Sequence, residues 1–196
     1  MTDIYKNNYS IRMENIHKRF GKVKALDGVS FYLNSGEIRA LVGENGAGKT
    51  TLMNILYGMY LHDKGEIYIG DEKVPDKWSP NQAIKMGLGM IHQHFSLVNN
   101  HTVLENIVMP TLKWSDFRPE WKKCKQRVEK IVEEHEFDIK LTSKVESLSI
   151  GQRQQVEIIK ALYQGAKVII LDEPSNVLTP KQAEALFKLL VNLKKK

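Results

Sequence analysis

The sequence predicts an α/β fold: a core organised around a phosphate-cradling loop, an antiparallel β region ahead of it, and a helical insertion within it. Three observations carry this. Gly43-Glu44-Asn45-Gly46-Ala47-Gly48-Lys49-Thr50 fits the P-loop pattern G-x-x-x-x-G-K-[ST], set between an apolar strand and a helical stripe. Val168-Ile169-Ile170-Leu171 is a β-branched apolar run ending on two acids, Asp172 and Glu173. Between these motifs, residues 97–147 carry helical periodicity and no strand signal of quality.

Each element has its own local reason. Ile11 and Met13 alternate, as do Val29, Phe31 and Leu33, then Ile67 and Ile69, with Gly70-Asp71 as a turn. Glu37–Val42 reads as a buried strand leading into the P-loop. Leu52, Ile55, Leu56 and Met59 then fall on one helical face. Ser79-Pro80 opens a short helix that Gly87 stops, and Leu88–His92 reads as another buried strand. Thr102 caps a helix through Val108, halted by Pro110. A longer one follows Pro119, with Trp121, Cys124, Val128, Ile131, Val132 and His135 on one face. Ser149 caps a helix running to about Tyr163 and ended by Gly165. Thr179-Pro180, with Gln182 in the capping-box position, opens a last helix carrying Ala183, Leu186, Phe187 and Leu190 inward. The expected organisation is a single domain over 1–196. Its P-loop NTPase core takes about 1–96 and 148–196, and a helical subdomain takes about 97–147.

Composition bounds the function. A chain of 196 residues, 42% hydrophobic and 27% charged, is that of a globular domain with a real core. No apolar run approaches the roughly 18 residues of a membrane span, and MTDIYKNNYS has no apolar core of a secretory signal. A lone cysteine, Cys124, excludes an internal disulfide and fits a reducing cytoplasm. The net charge of +6 is spread along the chain and includes Lys194, Lys195 and Lys196, so a solvated surface explains it better than nucleic acid or lipid.

The motifs specify chemistry. A strand, a glycine-rich turn and a helix N-terminus aim backbone N–H groups and the positive end of the helix dipole at one anion. Lys49 adds a point charge for the β- and γ-phosphates, and Thr50 a hydroxyl for Mg²⁺. Of the two acids, Asp172 suits the metal or its water, and Glu173 suits the general base that polarises an attacking water. Leu148-Ser149-Ile150-Gly151-Gln152 is a second helix start with a capping serine. His92 and His94 flank Gln93 with no third metal ligand signalled, and Trp114, Phe117 and Trp121 cluster in the insertion, where helix packing is the default.

In that order, Gly43–Thr50, Gln93, Leu148–Gln152 and Val168–Glu173 resemble the motifs of ABC-type ATPases, over nearly the whole chain from about Ile11. The resemblance implies an ATP and Mg²⁺ site. Phe20 would stack on adenine, and Gly43, Glu44, Asn45, Gly46, Ala47, Gly48, Lys49, Thr50 and Thr51 would hold the nucleotide. Thr50, Gln93 and Asp172 would hold Mg²⁺, with Lys49, Gln93 and Glu173 catalytic. Ser149, Ile150, Gly151 and Gln152 would complete an ATP site in trans on a second nucleotide-binding domain.

Two departures narrow the resemblance. Ile150 stands where many relatives have glycine, and Thr179 where most have aspartate; both resemble the N-terminal ATPase half of simple-sugar and nucleoside importers. The family's switch histidine has no candidate, since the last histidine is His135, so the chain is expected to be a C-terminally shortened piece that turns over ATP poorly alone. The implied function is the energy-coupling ATPase at the cytoplasmic face of the membrane. Its partners would be transmembrane permease subunits and, indirectly, an extracytoplasmic solute-binding protein, with no nucleic acid. The alternative is a soluble ABC ATPase acting on ribosomes or DNA.

Overall fold

The structure, a computed structural model, describes residues 9–92, 95–112, 120–174 and 178–194. The chain divides into two compact units, residues 1–88 and 89–196.

In the first unit, β1 (Tyr9–Phe20), β2 (Val23–Asn34), β3 (Lys64–Ile69) and β4 (Glu72–Lys73) form an antiparallel sheet in the order β2-β1-β3-β4. The register sets Met13 opposite Phe31 and Ile67, and Ile11 opposite Leu33 and Ile69, as the alternation predicts. Ile11, Met13 and Ile67 are buried. Ile16 is buried too, although its parity is opposite to that of Met13. A register shift between them, with Asn15 at φ 51, turns the strand over. Gly65 makes room for this bulge: a Cβ there would lie 2.6 Å from the Asn15 carbonyl oxygen. The expected Gly70-Asp71 turn joins β3 to β4.

Helix α1 (Lys49–Tyr57) buries Leu52, Ile55 and Leu56. It ends at Gly58, φ 84, so Met59 falls past the helix and is half exposed rather than part of the stripe. The Trp78 indole donates to the Leu56 carbonyl at 2.9 Å, tying the end of α1 to the entry of α2 (Pro80–Lys85), which opens at Ser79-Pro80 as expected.

The strand expected over Glu37–Val42 is not formed. None of the described ladder pairs includes it, and Ile38, Leu41 and Val42 are exposed, Val42 at 89%. An apolar run becomes a strand only when neighbours take its N–H and C=O groups. None of the described ladders takes them here: the Glu37 N–H donates to the Asn34 carbonyl at 3.2 Å in a turn, while its carboxylate accepts from the Asn34 N–H and side-chain amide at 2.8 and 2.9 Å and from Arg39 Nε at 2.8 Å.

In the second unit, β5 (Leu88–Ile91) lies beside β6 (Val168–Leu171). Helices α3 (Val103–Val108), α4 (Trp121–Glu134), α5 (Ile150–Tyr163) and α6 (Pro180–Lys194) contribute with Ile91 to one apolar core. Thr102 and Glu105 form the capping box of α3, and Pro110 sits in the turn that ends it. On α4 Val128 is buried, with Cys124, Ile131 and Val132 packed on the core, but Trp121 at the first turn is exposed. On α6 the inward stripe is Leu186, Leu189, Leu190 and Leu193. Phe187, expected inward, lies about 100° round the helix from Leu186 and is 53% exposed, sharing an outer groove with Ala183 and Val191. Trp114, Phe117 and His94 lie outside the described residues.

Candidate functional site

The P-loop opens α1. Gly46 and Gly48 both take left-handed φ, 84 and 88, and Gly48 is the N-cap residue. At Gly48 a side chain is also excluded by contact, since a Cβ would lie 2.6 Å from the Ala25 carbonyl oxygen and 2.8 Å from Leu26 Cδ2. The loop is closed by the Ala47 N–H donating to the Glu44 carbonyl at 3.2 Å. Lys49 bends back across it, Nζ donating to the Gly43 and Glu44 carbonyls, each at 2.8 Å. From Gly43 to Ala47 the loop is exposed, as is Thr50 at the start of the helix. An ammonium and the N–H groups of a first helical turn are donors of the kind that phosphate oxygens accept from.

Phe20, at the end of β1, is 42% exposed. Its ring meets Tyr60 edge-on, with centroids 5.3 Å apart, and the Lys18 ammonium lies 5.4 Å from its centroid. Asp63 braces this strand end, accepting from Lys18 Nζ at 3.0 Å and the Arg19 N–H at 2.7 Å. Those two donors, Lys18 first, hold its carboxyl below the usual carboxylate range.

In the second unit the Asp172 N–H donates to the Ile91 carbonyl at 3.1 Å, so β5 and β6 end side by side, as parallel strands do. The chain that leaves β5 toward Gln93 therefore starts beside the acidic pair. Gln93 itself lies outside the described residues. Glu173 is exposed and takes φ 48, an uncommon conformation for a residue with a side chain. Ser149 is the N-cap of α5: its hydroxyl accepts from the Gln152 N–H at 3.3 Å, and Gln152 Oε1 accepts from the Ser149 N–H at 3.1 Å. Ile150 is exposed at this helix end, and Gly151 faces Gln182 of α6.

Among the described residues, the buried polar side chains Asn106, Gln154 and Glu157 were missed by sequence reasoning. The available signal was a polar residue on the inward face of an otherwise apolar helix.

The ABC transporter family model matches residues 26–176 of this chain. The chain belongs to the ABC transporter family. It is 43% identical over 187 residues to a guanosine import ATP-binding protein of Bacillus subtilis, covering 95% of this chain and 36% of that protein. A ribose import ATP-binding protein of Clostridium perfringens is 43% identical over 188 residues, covering 95% and 37%. The chain thus spans little more than a third of these relatives. Among solved structures, an ATP-binding cassette of an ABC transporter in its ADP conformation matches with a TM-score of 0.84 and 32% identity, covering 95% of this chain and 77% of that one. A dimeric post-hydrolysis cassette bound to ADP and Pi matches at 0.75 and 27%, covering 94% and 83%. The fold of this ABC family member is accordingly that of an ATP-binding cassette. Among the described residues, no helix is long and apolar enough to cross a membrane.

Proposed function

We propose that the chain is an ATP-hydrolysing, energy-coupling part of an importer for a nucleoside or a simple sugar. The observation that carries this is Lys49 held across a glycine turn at a helix N-terminus, in a chain whose relatives are named as guanosine, nucleoside and ribose import ATP-binding proteins. The loop and Lys49 bind and orient the triphosphate, and Phe20 supports the adenine. Thr50, Asp172 and Gln93 are the residues that would hold Mg²⁺, which when bound neutralises charge on the phosphates. Glu173 accepts the proton of the attacking water. Ser149, Ile150, Gly151 and Gln152 serve a second cassette's nucleotide, and the dimeric relatives support such pairing. Solute choice belongs to a permease partner.

The test is Glu173→Gln in the chain assembled with its permease. ATP binding is retained while kcat falls by about 10²- to 10⁴-fold, the usual contribution of a general base. Unchanged turnover would remove Glu173 from the mechanism. Co-purification with a permease that moves nucleosides or sugars supports the importer, whereas co-purification with ribosomes or DNA overturns it.

A further inference from the structure

We propose that Gln154 and Glu157 form a polar latch on α5, which holds the loop after Gln93 and the loop after Glu173 against one helix, and that Glu157 is a positioning residue for hydrolysis. This rests on the ATPase reading above. Glu157 is only 4% exposed, between the buried Val156 and Ile158. One carboxylate oxygen accepts from the Ser96 N–H at 2.9 Å and from its hydroxyl at 3.3 Å; the other pairs with Lys160, whose Nζ also reaches Ser96 Oγ at 3.3 Å. From the far side Asn106 of α3 completes the clamp: Oδ1 accepts from the Val98 N–H at 2.7 Å and Nδ2 donates to the Val98 carbonyl at 3.1 Å. One turn before Glu157, Gln154 Nε2 donates to the Pro174 carbonyl at 3.3 Å, immediately after the acidic pair.

A spacing of i, i+3 sets the two grips on one face of a rigid helix. That helix begins at Ser149, so a shift of either loop is passed to the other and to the Ser149 end. Stability alone does not favour this arrangement, because an apolar side chain of similar volume commonly serves a core better than a buried ion pair. Gln154 Oε1 moreover stays buried with no hydrogen-bond partner among the described residues.

Hydrogen exchange on the chain tests the latch directly. Glu157→Ala is expected to speed exchange at residues 95–98 by about tenfold or more, the loss of a charge-assisted hydrogen bond, with the α3 and α5 amides still protected. Glu157→Gln keeps an acceptor and restores most of the protection. Gln154→Leu is expected to speed exchange at the amides of residues 172 and 173, beside the Pro174 carbonyl it bonds, and also at 95–98, which it does not bond. An effect of Gln154→Leu confined to its own loop, or undiminished protection of 95–98 in Glu157→Ala, overturns the latch. In the permease-bound ATPase, Glu157→Ala should lower kcat about tenfold with KM for ATP within about twofold, and Glu157→Gln should rescue it; an unchanged kcat overturns the positioning role. A wild-type assembly without ATPase activity would sink the proposed function instead, and the exchange data would still decide the latch.

Discussion

Lys49 is folded back on its own loop, its Nζ donating to the carbonyl of Gly43 at 2.8 Å. The ammonium is thereby held over the glycine turn by neutral acceptors, which a phosphate oxygen outcompetes because charged partners form the stronger hydrogen bond. Lys49→Ala should weaken ATP binding by about 10- to 100-fold, from roughly 1.5–3 kcal/mol for such a bond. Calorimetric titration checks this; an unchanged Kd would mean that the loop amides alone hold the phosphates.

Gly48 and Gly46 share a left-handed φ but differ in their surroundings. Gly48→Ala drives a Cβ against the Ala25 carbonyl oxygen at 2.6 Å, whereas at Gly46 nothing lies within 4 Å. The conformational cost is about 1 kcal/mol at either site, and backbone displacement adds about 1–3 kcal/mol at Gly48 alone. Urea unfolding should therefore rank Gly48→Ala well below Gly46→Ala. Equal midpoints would show that β2 yields to the extra methyl.

What the sequence disclosed and what it did not divide along a physical line. Caps are local chemistry, so Thr102 with Glu105, Ser149 with Gln152 and Thr179 with Gln182 all start helices where their spacing says. The β1 and β3 alternation was equally local. The bulge that buries Ile16 was not legible, because it depends on β3 approaching Asn15 at Gly65. Glu37–Val42 had a strand's composition, yet strand formation is a property of neighbours, and none of the described ladders pairs with it. At the site, the P-loop was legible as a motif. The link from α5 to Ser96 and Pro174 was invisible, since it joins residues 61 and 20 positions apart in sequence.

Glu105 should make the insertion sensitive to acid. The Thr102 N–H, first, and then the Thr102 hydroxyl hold its carboxyl below the ordinary glutamate value of 4.5. A carboxylate with a lowered folded pKa stabilises the native state above its unfolded pKa, and that contribution fades as pH falls through the folded value. The wild type should therefore exceed Glu105→Gln in thermal stability near neutrality, with the gap closing below about pH 4.5. A gap independent of pH would mean that the capping box works through geometry, with no contribution from charge.

Phe20 is the remaining testable contact. Its ring makes a T-shaped contact with Tyr60, with centroids 5.3 Å apart and planes at 76°, yet the residue keeps 42% of its surface exposed. The Lys18 ammonium lies over the ring 5.4 Å from its centroid, and the aromatic surface still exposed is what a planar partner would cover. Base stacking on such a ring is worth about 1–3 kcal/mol. Phe20→Ala should thus weaken ATP binding by about tenfold or more and leave the affinity for inorganic triphosphate unchanged, while Phe20→Trp retains both. Parallel titrations with the two ligands separate base from phosphate contributions. If Phe20→Ala weakens both ligands alike, Phe20 acts by supporting the end of β1; if it weakens neither, adenine is held elsewhere.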